Sequence, residues 1–190
     1  MSESTIIALP DELFATAESS PFSGEFSLPL LSAGPDDYHF ADPISWSVLI
    51  SNTGEALLVT GSASGTATTA CARCLDEFSI PLSGEVEGYF LLSEDQEPPE
   101  DMDEDEYEVL SEDHVIDMEP LIIAALLLDT PLVPLCREDC KGLCPRCGAN
   151  LNEGPCDCEK EEDEGEDDFP ANNPFSVLKD YHFEDEDGAD

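Results

Sequence analysis

Basic residues are scarce in this chain. Six Lys and Arg stand against 46 Asp and Glu, which gives a formal net charge of −40 over 190 residues. A field of that sign disfavours diffuse electrostatic attachment to nucleic acid or to anionic lipid. Long apolar runs are lacking as well, since the longest, residues 121–128, is far shorter than the roughly 20 residues that span a bilayer. We therefore expect no contact with a membrane.

The amino-terminal sequence MSESTIIALPDEL has neither a basic flank nor a long apolar stretch. Both are features of a secretory signal peptide, so we expect none here. The sequence thus predicts a cytoplasmic location, where cysteines stay reduced.

No catalytic constellation is evident. The histidines His39, His114 and His182 stand in polar surroundings without a neighbouring nucleophile, and no glycine-rich phosphate loop occurs. No carboxylate stands in an apolar context that would shift its pKa towards a catalytic value. The sequence therefore predicts a protein that is not an enzyme and has no small-molecule substrate.

Cysteine, by contrast, is abundant, and six of the eight cysteines lie within residues 136–158. In a reducing compartment such a cluster indicates metal ligands rather than disulfides. The segment Cys144-Pro145-Arg146-Cys147-Gly148 is typical of a knuckle that turns two thiolates towards one ion. Cys156 and Cys158 supply a second pair across the turn 150–155, so the four together predict a tetrahedral zinc site.

The other four cysteines have the count and the pairing for a second zinc site, which would clip the cysteine module to the sheet: Cys71, Cys74, Cys136 and Cys140. In a rival arrangement, one zinc binds the four cysteines between residues 136 and 147 and the others stay free. The CPRCG pattern is also similar to the iron-binding knuckles of rubredoxin-like proteins, so a redox centre is a further alternative.

Four of the six basic residues stand inside or beside a cysteine pair: Arg73, Arg137, Lys141 and Arg146. One interpretation is local compensation, because a zinc ion held by four thiolates carries a net charge of −2. The other interpretation is that these side chains form a surface for RNA phosphate. Both remain open from the residues alone.

Alternating apolar and polar residues predict strands at 44–51 and 78–92, with a further strand over 56–61 and a weaker one near residues 22–28. Gly84 and Gly88, on the apolar face of the longest strand, indicate bends or close backbone approach. The small-residue run 62–70 is interpreted as a connection to Cys71. We predict an α+β fold: a mostly antiparallel sheet, as an open barrel or sandwich, with one buried helix.

The helix is predicted to open at residues 117–120, where an aspartate and a proline suit a first turn. Its apolar run 121–128 has no polar side, so we expect it to be buried against the sheet. The predicted domains are a β-rich core at 1–134 with an acidic loop at 94–108, a zinc module at 135–158, and an acidic, disordered linker and tail at 159–190. A short docking motif is expected at 173–179.

Three segments resemble the YceD family of large-subunit ribosomal RNA accumulation proteins: CARCLDEFSIPL, TPLVPLCREDCKGLCPRCGANLNEGPCDC and NPFSVLKD. The resemblance covers roughly residues 40–180. It implies a non-enzymatic ribosome-biogenesis protein that supports 23S rRNA processing or accumulation by binding pre-ribosomal RNA or an assembly intermediate. It also aligns Cys71 and Cys74 with the family's first cysteine pair, the cysteines from 144 to 158 with its knuckles, and 173–179 with its terminal docking motif.

The acidity of the chain supports a second hypothesis. The protein would act as a chaperone for a basic ribosomal protein, with the acidic runs 94–108 and 159–168 as the contact.

Overall fold

The computed structural model describes residues 5–93, 95–96, 98–99, 102–103 and 106–158. The chain divides into two units, Met1–Cys156 and Asp157–Asp190, and all the elements below belong to the first. The predicted acidic tail and the docking motif at 173–179 lie outside the described residues. So do residues 94, 97, 100, 101, 104 and 105 of the predicted acidic loop.

In chain order the strands are β1 (Ile6–Ala8), β2 (Ser19–Phe26), β3 (Leu30–Ala33), β4 (Asp36–Phe40), β5 (Ile44–Asn52), β6 (Ala56–Ala70), β7 (Glu77–Leu91), β8 (Glu108–Val109) and β9 (Val115–Asp117). A 3₁₀ turn spans Asp11–Phe14, and helix α1 spans Glu119–Asp129.

Strand β6 is the centre of a seven-stranded sheet. One of its edges pairs with β7 along its whole length, and the other pairs with β5 and then with β4. Strand β2 extends the sheet beyond β5, and β3 extends it beyond β4. All of these pairs are antiparallel, and the short β8 lies parallel to the end of β7. Separately, β1 pairs with β9, so the mostly antiparallel sheet with one helix is confirmed.

The predicted alternation is seen on β5 and β7. On β5 the buried apolar side chains are Ile44, Trp46, Val48 and Ile50. On β7 Leu82, Val86 and Phe90 are buried while Glu85 and Glu87 are exposed. Since successive side chains of a strand point to opposite faces, one face of each strand joins the core and the other meets solvent.

The interpretation of residues 62–70 as a connection was wrong, because β6 continues through this run to Ala70. Glycine and alanine have low strand propensity, but the threonines of this run favour a strand, and the run is paired with neighbouring strands on both edges. Just before this run, at Gly61, neighbouring backbone atoms leave no room for a side chain. A Cβ on Gly61 would lie 2.1 Å from the carbonyl oxygen of Ser47 on β5.

Helix α1 packs on β7 and β6 through Ile122, Ala125 and Leu126, which are buried. Its predicted start is close to the observed one, and the Asp117 carboxylate accepts a hydrogen bond from the backbone N–H of Glu119 at 3.0 Å. The helix is buried against the sheet as predicted, although Leu128 is 88% exposed. No helix in the described ranges combines the length and the apolarity that a membrane crossing requires.

Candidate metal centres

The turn between β6 and β7 holds the first cysteine pair. Within it, the backbone N–H of Cys71 donates to the carbonyl of Asp76 and that of Leu75 donates to the carbonyl of Cys71, both at 2.9 Å. The chain returns to this turn after α1, where the N–H of Ala72 donates to the carbonyl of Pro134 at 2.8 Å. This hydrogen bond places the second pair, Cys136 and Cys140, next to Cys71 and Cys74.

We call the resulting set of cysteines centre 1: Cys71, Cys74, Cys136 and Cys140. All four Sγ atoms lie within 4.8 Å of one another. The Sγ atoms of Cys71 and Cys140 are 3.8 Å apart, and so are those of Cys74 and Cys136. A tetrahedron with metal–sulfur bonds of about 2.3 Å has edges of about 3.8 Å, whereas a disulfide would need about 2.0 Å. The geometry therefore fits one tetrahedral ion and not disulfides.

Centre 2 contains Cys144, Cys147 and Cys156, whose Sγ atoms also lie within 4.8 Å of one another. Three thiols at this spacing could hold a metal ion. The fourth predicted ligand, Cys158, belongs to the second unit and follows Cys156 by two residues. The cysteines from 136 to 147 fall into two different centres, so the rival arrangement with one shared ion is wrong.

The knuckles of the two centres share one local geometry. In centre 2, Gly148 has a φ of 73° and its N–H donates to the Cys144 carbonyl at 2.8 Å. In centre 1, Leu75 stands at the equivalent position with a φ of 63° and makes the equivalent bond to Cys71. Such a φ favours glycine. Because Leu75 stands where the other knuckle has a glycine, the sequence did not indicate that the two turns are alike, although both have the Cys-x-x-Cys spacing.

Arg73 ties the two halves of centre 1 together. Its Nη1 donates to the carbonyl of Cys140 at 3.0 Å and its own carbonyl accepts from the N–H of Leu143 at 3.1 Å. A glycine is needed at position 142 for the two backbone segments to approach each other. Its φ is 72°, and a Cβ there would lie 3.0 Å from the carbonyl oxygen of Arg73. Sequence reasoning placed Arg73 beside the cysteines but missed this bridging role.

Asn152 is a second residue that the sequence reasoning missed. Its Nδ2 donates to Sγ of Cys140 at 3.4 Å, and its Oδ1 accepts from the backbone N–H of Lys141 at 2.9 Å. Asn150 holds it in place by accepting from its backbone N–H, and Asn150 in turn donates to Asp76 at 2.7 Å. The available signal was the pair of asparagines in the turn between the knuckle and the last cysteines.

The thiols of centre 1 divide into two kinds. Burial opposes ionisation of Cys71, but backbone N–H groups of Cys136, Cys74 and Arg73 outweigh it and lower its pKa to about 6. The hydrogen bond from Asn152 is the largest cause that lowers the pKa of Cys140. These two sulfurs are therefore the ones that most readily become thiolates.

The other two thiols are held neutral. Burial is the largest cause that raises the pKa of Cys136. The backbone N–H of Asp76 favours the thiolate of Cys74, but burial and hydrogen bonding with neighbouring groups raise its pKa all the same. Four anions at such short range cannot coexist without a cation, so a divalent ion is what would let all four sulfurs ionise. In centre 2, backbone N–H groups of Cys147 and Arg146 lower the pKa of Cys144 to about 6.

We predict that Asn152→Ala weakens the binding of added Zn²⁺ at centre 1 by about 10- to 100-fold, because groups that hydrogen-bond to ligands orient them and stabilise their charged form. The check is a competition titration with a chromophoric chelator. Asn152→Asp is the second variant: it keeps an Oδ1 that can accept from the N–H of Lys141, but it replaces the N–H directed at sulfur by a negatively charged oxygen, so it should lose at least as much metal as Asn152→Ala. Wild-type retention in both variants would contradict the role of Asn152.

The predicted RNA-contact residues Arg73, Arg137, Lys141 and Arg146 are all exposed and stand on the segments that carry the ligands. The Nε of Arg137 lies 3.5 Å from Oδ1 of Asp139, in an ion pair exposed to solvent. The surface beside the cysteines therefore carries both signs of charge, with Arg73 engaged by backbone carbonyls.

Comparison with known proteins was made on the whole chain. The family model described as "Large ribosomal RNA subunit accumulation protein YceD" matches residues 59–181. A Mycobacterium tuberculosis protein is 38% identical over 111 residues, which are 56% of this chain and 50% of the relative. A Mycobacterium leprae protein is 30% identical over 109 residues, 57% of this chain and 49% of the relative.

An Arabidopsis thaliana protein, "Large ribosomal RNA subunit accumulation protein YCED homolog 1, chloroplastic", is 29% identical over 150 residues. These are 66% of this chain and 47% of the relative. The chain thus spans about half the length of the curated relatives it matches. No solved structure matches it.

Proposed function

The chain belongs to the YceD family, and from that premise we propose that it supports the processing or accumulation of 23S ribosomal RNA during ribosome assembly. The observation that carries the proposal is the family match over residues 59–181, a range that includes most of β6, all of β7 and α1, and both cysteine centres. We propose further that the protein acts in the cytoplasm by binding rather than by catalysis.

Zinc is the proposed metal of both centres. Centre 1 offers four thiols at tetrahedral spacing. In centre 2 we propose Cys158, from its place in the sequence, as the fourth ligand beside Cys144, Cys147 and Cys156. The ions would fix a segment that is too short to build a hydrophobic core of its own. Iron would accept the same ligands, as in rubredoxin-like proteins. Elemental analysis distinguishes them, and a colourless protein with two zinc ions per chain is the expected result.

The proposed partner is pre-ribosomal RNA or a particle that contains it. Arg137, Lys141 and Arg146 stand exposed on the segments that the metals would hold in place, where their positive charge can reach phosphate. Arg73 belongs to the same surface, but its guanidinium also bonds to the carbonyls of Glu138 and Cys140. We therefore assign it both to the RNA contact and to the shape of the site.

We predict that replacing Arg137, Lys141 and Arg146 together by alanine weakens binding to a 23S rRNA precursor fragment at least about tenfold. The salt dependence of binding should also become shallower by roughly one unit of slope for each lost phosphate contact. Electrophoretic mobility shifts over a series of salt concentrations measure both quantities. Arg73 is left intact so that centre 1 keeps its shape.

Lys160→Ala is the control, since it removes one positive charge outside both the cysteine segment and the predicted docking motif. Zinc content must be equal in all variants for the comparison to concern RNA contact. If the triple variant binds the RNA as tightly and with the same salt slope as the wild type, direct contact through these residues is ruled out.

A second candidate function is favoured by the net charge of −40. In this alternative the chain reaches the particle by holding a basic ribosomal protein. Crosslinking in cells, followed by sequencing of attached RNA and mass spectrometry of attached proteins, separates the two. RNA crosslinks at residues 136–147 support the first function, and crosslinks to one basic protein without RNA support the second.

A further inference from the structure

The outer edge of β7 carries backbone groups directed away from β6. The N–H of Ser83 donates to Oδ2 of Asp129 at 2.8 Å, and the carbonyl of Leu91 accepts from the N–H of Leu110 at 2.9 Å. Backbone groups of a strand alternate between its two edges. The odd-numbered residues of β7 therefore point outward, and Glu85 and Glu87 are among them.

Two observations agree that this edge is open. Pro81 lies at one of the outward positions, where a missing N–H costs no ladder hydrogen bond. Strand β8 pairs with β7 only at Phe90 and Leu91. Within the described ranges, no hydrogen-bond partner meets the outward backbone groups of Glu85 and Glu87.

Two cavities follow this edge and share Glu87. One, of about 550 Å³, is lined by Glu87, Tyr89, Glu106, Tyr107, Glu108 and Leu121, among others. The other, of about 310 Å³, lies between β7 and the end of α1 and is lined by Glu85, Leu128 and Asp129, among others. Both cavities lie beside the unpaired part of β7 and are lined by acidic and apolar side chains, and we call them together the groove.

The negative charge of the groove indicates which kind of molecule can bind there. Its exposed acids make no ion pair in the described part of the chain. A second copy of this chain would bring like charge to the same edge, and charged edge residues oppose such self-pairing. RNA phosphate is repelled for the same reason. A basic polypeptide is attracted, and aromatic rings such as Tyr89 and Tyr107 can accept the cationic side chains.

We propose that the outer edge of β7, from Glu85 to Tyr89, binds an extended basic segment of another protein as an added β-strand. The backbone of that segment pairs with Glu85 and Glu87, and its Lys or Arg side chains meet the carboxylates of the groove. This surface is distinct from the two cysteine centres, so the proposal can be tested independently of the proposed RNA contact.

The test is binding of a fluorescent peptide in which lysine and threonine alternate. Glu87→Gln removes one charge and is expected to weaken binding about threefold. Glu87→Pro also removes the outward N–H. It is expected to bind about tenfold more weakly than Glu87→Gln, because the peptide loses one backbone hydrogen bond. The β6 ladder is untouched by this proline, as it is by Pro81, and the thermal midpoint verifies folding. Glu55→Gln, in the exposed turn between β5 and β6, should bind like the wild type.

Amide hydrogen exchange gives a second measurement. Glu85 and Glu87 should exchange fast in the free chain and become protected when the peptide binds. Slow exchange in the free chain would mean that a second copy or other residues of the chain already cover the edge, and that would overturn the proposal. It is also overturned if Glu87→Pro binds as well as Glu87→Gln, or if Glu55→Gln loses as much affinity as Glu87→Gln.

Discussion

Replacing Cys140 with serine is expected to remove one of the two proposed zinc ions and to release residues 136–156 from the β6–β7 turn. Cys140 contacts Cys71, accepts from Asn152 and carries the carbonyl that holds Arg73. Structural zinc is worth ~10–16 kcal/mol in small peptides, which is comparable to the ~5–15 kcal/mol that stabilises a typical domain. Elemental analysis and limited proteolysis within 136–156 measure the effect.

Cys147→Ser is the matched control, because it removes a thiol of centre 2 that is exposed to solvent. It should also lose one zinc, but the first ion and the link from Ala72 to Pro134 should persist, so cleavage should be confined to residues after 143. A zinc content and protease resistance equal to those of the wild type in the Cys140→Ser variant would show that no zinc ion depends on Cys140 to hold this segment.

Replacing Gly84 with alanine is expected to destabilise the first unit by about 3 kcal/mol, at the upper end of what overpacking usually costs. A Cβ there would lie 1.9 Å from the carbonyl oxygen of Ala125 and 2.3 Å from its carbonyl carbon. Both are backbone atoms of α1, so the whole helix must move away from β7. Thermal unfolding of the zinc-loaded chain should show a midpoint lower by roughly 10 °C.

Gly88→Ala provides the comparison on the same face of the same strand. Its nearest obstacle is a terminal methyl of Leu121 at 3.0 Å, which can rotate aside, so we expect a cost below about 1 kcal/mol. Equal midpoints for the two variants would show that α1 does not rest on the backbone at Gly84.

The sequence located the strands whose pattern is strong. Period-two alternation identified β5 and β7, and the two glycines on the apolar face of β7 indicated the close approach that the structure places at Gly84. It missed the second half of β6, because small residues at 62–70 look like a connection until neighbours hydrogen-bond to both edges. The strands β1 and β9 were missed because each has only three residues, too few to show an alternating pattern. They exist only because they pair with each other across about a hundred residues.

Spacing in the sequence determined which cysteines form pairs, and the resemblance to the YceD family was confirmed by the match over residues 59–181. Which pairs share an ion depends on the tertiary structure, because Cys71 meets Cys140 only where the β6–β7 turn and the segment after α1 come together. The bridging of Arg73, the support from Asn152 and the open edge of β7 arise in the same way. A local sequence pattern determines which side chains and backbone groups a segment can contribute. Only the tertiary structure determines which of these groups come into contact, because their partners lie far away in the sequence.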